Sequence, residues 1–400
     1  MARSRRARRE WSDGLPPELL GVVLLHLPCL ADRVCFAAVC PAWRSAARGL
    51  APPRQLPWLL LPSPDATSFF TPQSGATRRL YLPGSVRGTR FCGSHNGGWV
   101  AAAADAWGGY AAVNLLSGAR VPLPNRIRVV HPFKIRGTSP CEHPMLLRMV
   151  TFSAAPTSAD CLAAAHISSA CNIAFWRPGM DAHWLAYRHQ TGVIEDIIYR
   201  KSEVKQGFHV LTNTEDLLVY AASSDQNAPL EMTCVRYRFE KRVDYNHNQS
   251  GFSVSRYLVE SRGKLLMVLR EYSVGRGVGR CTWVFRIFEM VLEILPHVQG
   301  TKASWVELRD LHGRALFLGR GCSMAFEVSQ FTGLQEGVIY YLDDTSFDIS
   351  LVLSSGGKFS SSDMGVYAMA MRKIRLIRGE ARRFPHEFTS ECSPPVWLLH

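Results

Sequence analysis

The stretch from residue 15 to residue 50, LPPELLGVVLLHLPCLADRVCFAAVCPAWRSAARGL, has the spacing of three short helices. Pro17 is tolerated in the first turn of a helix, and apolar residues then recur at helical intervals. Pro28 ends this first helix, Asp32 can cap a second, and Pro41 can open a third. The sequence therefore predicts a small helical module over residues 11–50.

A module of this size rarely buries enough apolar surface to be stable alone. The apolar residues between positions 19 and 25 are also more numerous than one narrow helical stripe requires. Some of this surface should therefore face a partner protein or another part of the chain. The simpler alternative is an N-terminal helical cap that packs on its own domain and binds no partner.

Several short motifs in this stretch resemble the F-box. They are Leu15-Pro16-x-Glu18-Leu19-Leu20, Leu27-Pro28, Asp32-Arg33 and Val39-Cys40-x-x-Trp43-Arg44. The resemblance implies that the module docks onto a Skp-type adaptor and, through it, onto the cullin of a ubiquitin ligase. The residues expected to contact the adaptor are Leu15, Pro16, Leu19, Leu20, Leu24, Leu27, Val39 and Cys40. Trp43 is expected to belong to the small core of the F-box.

The composition is that of an ordinary globular protein, with 47% hydrophobic and 20% charged residues in a chain of 400. No apolar run reaches the eighteen residues that a membrane span requires, and no apolar segment follows the N-terminal arginines as in a secretory signal. The 11 cysteines are an odd number without a C-x-x-C pair. This pattern indicates neither disulfides nor zinc, and predicts a reducing compartment, the nucleus or the cytoplasm.

The positive charge is concentrated in two short segments. Residues 1–10 hold five arginines and one glutamate, and residues 372–383 hold six basic residues and one glutamate, so together they account for +9 of the net charge of +13. The first segment is either a nuclear-import patch or a solvated, disordered tail. Neither segment includes a recognition element or stacking aromatic residues, so we expect no specific nucleic-acid partner and no membrane partner.

A proline-containing linker at residues 51–57 leads into a different pattern. Short apolar runs separated by Gly, Asn, Asp and Ser continue to the end of the chain, as in all-β proteins. Residues 58–400 are too many for one sandwich, whereas propeller blades of about 40–50 residues would fit six or seven times. Within this region Cys161–Ala174 is compatible with either a strand pair or a short helix. The predicted fold is mainly β, a three-helix module followed by a β-propeller.

The same region resembles the KIB-type (F-box-associated, kelch-like) β-propeller domain of plant proteins. The motifs are Trp58–Pro62, Gly98-Trp99, Asn114–Gly118 with Leu123-Pro124, Ala174–Gly179, Tyr257–Ser261 with Leu265–Val268, Ala315–Gly319, and Val338–Asp344. This domain is found behind F-boxes, so the resemblance implies a propeller whose loops bind a target protein for ubiquitination. Thr214-Glu215-Asp216 departs from the family pattern, because a glycine turn is usual there.

No catalytic or metal-binding constellation is evident, so we expect a non-enzymatic protein without a cofactor or a metal ion. H-E-x-x-H and G-x-S-x-G are absent, and the 13 histidines show no ligand spacing. Gly275–Arg280 lacks the third glycine of a dinucleotide loop and is expected to connect two strands of a hairpin. Gly356-Gly357-Lys358 lacks the rest of a phosphate loop, and Asp343-Asp344 is typical of a solvated turn.

Two alternatives to a ligase receptor come from other classes of protein. One is an enzyme that uses the central channel of the propeller, and the other is a nuclear nucleic-acid-associated protein that uses the two basic segments. A propeller that binds a protein independently of any ligase is a third reading. The substrate is not predicted, because propeller loops bind by shape and no short motif records the target.

Overall fold

The computed structural model has two compact units, Met1–Leu56 and Pro57–His400. It describes residues 15–27, 29–50, 54–63, 67–72, 75–80, 82, 84–103, 109–130, 142–169, 171–179, 182–187, 192–201, 206–223, 229–239, 243, 252–275, 279–294, 301–343, 359–361, 363–369, 380–383, 388–390 and 392–399. Several predicted features lie outside these residues. They are the basic tail 1–10, Pro28, residues 51–53 of the linker, Asp344, residues 356–358 and the basic residues 372–378.

Three short helices form the first unit, as the sequence predicts. They are α1 (Pro17–Leu25), α2 (Leu30–Ala38) and α3 (Pro41–Arg48). A proline occupies the first turn of α1 and of α3, where its missing N–H has no intrahelical partner to lose. The helices enclose a small core of Leu20, Leu24 and Phe36.

Two arginines tie the ends of these helices together. Arg33 in α2 donates to the carbonyl oxygens of Leu24 and Leu27, each at 2.9 Å, so it adds side-chain hydrogen bonds to the C-terminal end of α1. The Arg44 Nε in α3 donates to the Ala37 carbonyl at 3.2 Å. The Asp-Arg and Trp-Arg motifs therefore include two contacts that fix the packing of the helices.

The second unit is built from short strands. The strands of its first half are β1 (Trp58–Leu61), β2 (Thr67–Thr71), β3 (Ala76–Leu80), β4 (Arg90–His95), β5 (Trp99–Ala103), β6 (Tyr110–Asn114), β7 (Arg120–Leu123), β8 (Arg126–Val130), β9 (Glu142–Pro144), β10 (Leu147–Phe152), β11 (Ala163–Ile167), β12 (Ile173–Trp176), β13 (Trp184–Tyr187) and β14 (Ile194–Arg200). The region 161–174, left open by the sequence, thus holds parts of two strands that pair with each other.

The remaining strands continue the series in chain order. They are β15 (Gly207–Thr212), β16 (Leu217–Ala222), β17 (Met232–Tyr237), β18 (Phe252–Ser261), β19 (Lys264–Gly275), β20 (Gly279–Ile294), β21 (Thr301–Leu308), β22 (Arg314–Leu318), β23 (Met324–Glu327), β24 (Val338–Tyr341), β25 (Phe359–Ser361), β26 (Gly365–Ala368), β27 (Glu380–Arg383), β28 (Phe388–Ser390) and β29 (Val396–Leu398). Strands β19 and β20 pair up to Gly275 and Gly279, so they are longer than the sequence pattern predicts. The added pairs end at Gly275 and Gly279, and glycine has no side chain that could contribute to the alternating apolar pattern of a strand.

Among the described residues these strands form the six blades of a β-propeller, the lower of the two expected numbers. Blade 1 is β29-β1-β2-β3, blade 2 is β4–β7, blade 3 is β10–β13, blade 4 is β14–β17, blade 5 is β18–β21, and blade 6 is β23-β22-β24-β26-β27. Strands β25 and β28 form a separate pair. The mainly β propeller fold predicted from the sequence is confirmed.

Blades 1, 3 and 6 depart from a simple four-stranded meander. In blade 1 the C-terminal strand β29 pairs antiparallel with β1, which closes the ring. Blade 3 gains β8 and β9 at its outer side, because β8 pairs parallel with β13. In blade 6 the hairpin of β22 and β23 lies on the inner side, and β22 pairs parallel with β24.

The innermost strands of neighbouring blades contact each other around the ring: β29 with β4, β4 with β10, β10 with β14, β14 with β18, and β18 with β23. A glycine permits one of these approaches. A Cβ atom on Gly93 in β4 would lie 2.3 Å from the Val150 carbonyl oxygen in β10, so only glycine fits there. Strands β4 and β10 therefore lie unusually close together at this point.

Candidate functional site

Helix α1 carries apolar residues on two of its faces. Leu20 and Leu24 lie on the inner face, and they are 2% and 0% exposed. Leu19, Val23 and Leu25 lie outside the core, and Leu19 and Leu25 are 50% and 70% exposed. A helix that is apolar on every face is normally covered on every face. The outer side of α1 is therefore a candidate partner-binding surface.

The residues predicted to contact an adaptor are divided between this surface and the core of the module. Pro16, Leu19 and Val39 are exposed, and Val39 reaches 56%. Leu20 and Leu24 are buried, where their side chains stabilise the three-helix unit. Those of intermediate burial are Leu15, Leu27 and Cys40. The contact of all eight with an adaptor stays a prediction.

Trp43 lies against the core of the module. Its ring centroid is 4.4 Å from that of Phe36, in a tilted arrangement. The predicted adaptor contacts did not include Val22 and Val34, which are 50% and 60% exposed. Their exposure follows from helix packing, which the linear motif does not record. The exposed apolar surface of the first unit is therefore Leu19, Val22, Val23, Leu25, Val34 and Val39, referred to below as the helical patch.

The second candidate site is a cavity of about 440 Å³ at one mouth of the propeller channel. It is lined by residues at or near the C-terminal ends of β4, β10, β14, β18 and β29, and by residues around the N-terminal end of β23. All six blades contribute to its wall. This volume is within the usual range for ligand sites.

Polar side chains line much of this channel cavity. Ser94 is 3% exposed, and its Oγ has no hydrogen-bond partner in the described part of the chain. The adjacent His95 ring packs edge-on against Phe152 at 6.2 Å, and burial lowers the pKa of His95 to about 4. His95 is therefore a neutral imidazole at neutral pH, with one ring nitrogen able to donate and the other able to accept.

The channel cavity also includes charged groups. Glu260 is held by the Arg200 guanidinium, with 3.3 Å between Oε1 and Nε. Lys201, the next residue in the chain, is exposed and forms no ion pair with another described residue. Since Glu260 is already paired, the unbalanced charge in the lining is positive.

A second cavity of about 640 Å³ lies between blades 3 and 4. It shares Ser153, Tyr199 and Lys201 with the channel cavity, so the two adjoin. Ser223 lines this cleft, and its Oγ is buried without a hydrogen-bond partner among the residues that the structure describes. The cleft and the channel cavity therefore share part of their walls. No sequence motif marked either cavity, because their linings come from strand ends that are far apart in the chain.

Among the described residues, no group of three or more His, Cys, Asp and Glu side chains is placed to hold a metal ion. None of the helices in the described part of the chain has the length and apolar character needed to cross a membrane.

Two solved structures are similar to the chain over most of its length. A structure of a proposed 6-phosphogluconolactonase from Bacteroides uniformis ATCC 8492 has 11% identity and a TM-score of 0.33, covering 85% of this chain and 98% of its own. A second one, from Bacteroides fragilis NCTC 9343, has 9% identity and a TM-score of 0.30, covering 82% and 96%. Likenesses of this size say nothing about what the chain does.

No curated protein matches the sequence. The KIB1-4 beta-propeller family does match, over residues 69–368, which is well over half of the chain. The matched span begins in blade 1 and ends in blade 6, so it includes strands of every blade. The chain therefore belongs to the KIB1-4 β-propeller family.

Proposed function

We propose that this protein is the substrate-recognition subunit of a ubiquitin ligase of the Skp–cullin–F-box type. The N-terminal helical module binds the Skp adaptor, and through it the cullin, by means of the helical patch. The propeller holds the target protein near the ubiquitin-loaded enzyme. The chain then acts without catalytic residues of its own, by raising the effective concentration of a target lysine.

The observation that supports this proposal best is the second apolar face of α1. The module has its own small core, yet it leaves several large apolar side chains exposed on one nine-residue helix. Exposed apolar patches on a small unit are typical of protein interaction sites. The motifs that resemble the F-box coincide with this unit, and a propeller of the KIB1-4 family follows it.

The proposed function implies a cellular location and a set of partner proteins. A ligase subunit of this kind would work in the nucleus or the cytoplasm, where its free cysteines stay reduced. Its partners are the adaptor, the cullin and one or more target proteins. A propeller that binds its target outside any ligase is the alternative.

The test is a pull-down of a Skp adaptor and a cullin by the full chain and by the Leu19→Glu variant. Leu19 is half exposed, so a charge there should leave the fold intact while it disrupts an apolar interface. We expect binding by the natural chain and a loss of at least ~30-fold in affinity for the variant, as for an interface hot spot of about 2 kcal/mol.

A matched control is Val306→Glu, the same kind of change at a residue of β21 with 47% exposure. Adaptor binding should survive it. Leu20 and Leu24 are unsuitable for this test, because truncating either would empty the core of the module. Equal adaptor binding by the natural chain and by Leu19→Glu, or none by the natural chain, would contradict the proposal.

A further inference from the structure

We propose that the channel cavity and the adjoining cleft bind an extended peptide segment of the target protein, with an acidic side chain of that segment seated at Lys201. This inference deepens the proposed function, on which it rests for the nature of the occupant. The proposal is supported by two buried hydroxyl groups without a partner among the described residues, by the charge of the cavity lining, and by the shape of the two adjoining cavities.

The first ground is the pair of buried hydroxyls without partners. Ser94 Oγ in the channel cavity and Ser223 Oγ in the cleft are both inaccessible to water and lack a hydrogen bond within the described residues. Leaving a buried polar group unpaired costs about 1–3 kcal/mol. Since both residues line the cavities, a polar ligand can bond to these hydroxyl groups once a side-chain rotation exposes them.

The second ground is charge. Lys201 lines both cavities and forms no ion pair with a described residue, whereas Glu260 is neutralised by Arg200. His95 adds hydrogen-bonding capacity without charge, because burial keeps its ring neutral. Asp160 and Arg177 line the far side of the cleft, and each already interacts within the protein. The group best matched to Lys201 is therefore a carboxylate.

The third ground is shape. The channel cavity and the cleft are each large enough for a ligand, and they meet at Ser153, Tyr199 and Lys201. A compact molecule would fill only one of them. An extended peptide can run from the cleft into the channel mouth, with its acidic residue at the junction where Lys201 lies.

The experiment is selection from a displayed library of random heptapeptides on the full-length chain, beside its Lys201→Glu variant. We expect peptides with Asp or Glu to be enriched on the natural chain by at least ~5-fold over the variant, which corresponds to about 1 kcal/mol. Arg79→Glu is the matched control. It reverses one exposed charge on β3, the outer strand of blade 1, and should leave the enrichment unchanged.

A second variant separates binding from folding. Ser94→Ala removes a hydroxyl that has no partner in the protein, so the thermal midpoint should not fall, while binding of the selected peptides should weaken. Enrichment without acidic residues, or enrichment that survives Lys201→Glu, would overturn the inference. Adaptor binding is measured in a separate experiment. The proposed function can therefore be contradicted while peptide binding is confirmed, and peptide binding can be contradicted while adaptor binding is confirmed.

Discussion

At the scale of single residues, Asp196 links three blades. Its Oδ1 accepts hydrogen bonds from the N–H groups of Ile197 and Gly321, and its Oδ2 accepts one from the N–H of Leu258. These residues belong to blade 4, to the turn before β23 in blade 6, and to blade 5. The carboxyl group is fully buried. An amide at this position would turn a donor toward one of the three N–H groups.

We therefore expect Asp196→Asn to destabilise the propeller by about 1–3 kcal/mol, the cost of an unpaired buried donor. Chemical denaturation followed by tryptophan fluorescence measures this. Ser68→Ala, on β2 of blade 1, is the control and should change the free energy of unfolding little. An unchanged free energy of unfolding for Asp196→Asn would show that these hydrogen bonds do not hold the blades.

The pH dependence of the same residue has a definite sign. Burial raises the pKa of Asp196 to about 7, against the lowering by its hydrogen bonds and by Arg320. The folded protein then keeps a proton that the unfolded chain releases near pH 4, so this stabilisation is complete below about pH 4 and is lost as pH rises through 7.

We expect the stability difference between the natural chain and Asp196→Asn to shrink as pH rises from 4 to 8. Buried His95, His166 and His209, whose pKa values burial lowers, titrate in both proteins and cancel in the difference. Denaturation curves at several pH values measure it. A difference that grows with pH would mean that Asp196 is stabilised as the ion.

Gly321, one of the donors to Asp196, has a backbone conformation that other residues avoid. Its φ is +71°, and a Cβ atom there would lie 2.9 Å from Met149 Cγ. We expect Gly321→Ala to cost about 1–3 kcal/mol in the free energy of unfolding. Gly333→Ala, with φ +83° but no neighbour within 4 Å, is the control for strain alone and should cost less.

Glu215 shows what a sequence pattern can and cannot indicate about a residue. The sequence marked its turn as a departure, because a glycine is usual there, and the φ of Glu215 is indeed +64°. The pattern did not indicate what the side chain does. Its carboxylate accepts from the Val243 N–H at 3.0 Å and pairs with Arg256 at 3.3 Å. These partners are 28 and 41 residues away, beyond any local signal.

At the scale of elements, the helices and most strands follow from local spacing. The prolines and apolar intervals predicted all three helices, and the short apolar runs predicted strands such as β13 and β24. The face of α1 that is buried could not be predicted in the same way, because leucine and valine occur on every side of it. Packing against Phe36 in α2 makes Leu20 and Leu24 the inner pair.

The C-terminal strand β29 connects blade 1 to blade 6 through one tryptophan. Trp397 in β29 is fully buried, its Nε1 donates to the Leu318 carbonyl at 2.9 Å, and its ring packs edge-on against Phe317 at 5.1 Å. We expect Trp397→Ala to cost about 3–5 kcal/mol in the free energy of unfolding. Trp397→Phe keeps most of the packing and should cost clearly less. Equal costs in thermal or chemical denaturation would mean that the ring does not hold blade 1 to blade 6.

At the scale of the whole molecule, each of the two units has a hydrophobic core of its own. Among the described residues, the core cluster of the helical module is formed by helical residues, and the other clusters are formed by propeller residues. We expect a chain that begins at Arg54 to form the propeller with the thermal midpoint of the full-length protein. Calorimetry of both chains measures this. A midpoint lowered by many degrees would show that the propeller depends on the helices.

The whole-molecule fold was predictable, whereas the channel cavity was not. Repeated short strands over some 340 residues favour a propeller whatever their exact limits. The lining of the cavity depends on which strand of each blade is innermost, and in blade 6 that strand is β23, the second in chain order. His95 and Lys201 line the same cavity because the inner strands of blades 2 and 4 end on the same side of the ring.

The pairing of β29 with β1 also determines when blade 1 can be completed during translation. At about 5–20 residues per second, a ribosome needs roughly 17–70 s to translate from Pro57 to the end of β29. Throughout that interval β1 has no inner neighbour, and unpaired strand edges attract other chains. The strand that covers the inner edge of β1 is therefore translated long after β1 itself, and a stop codon that removes β29 would release a ring that cannot close.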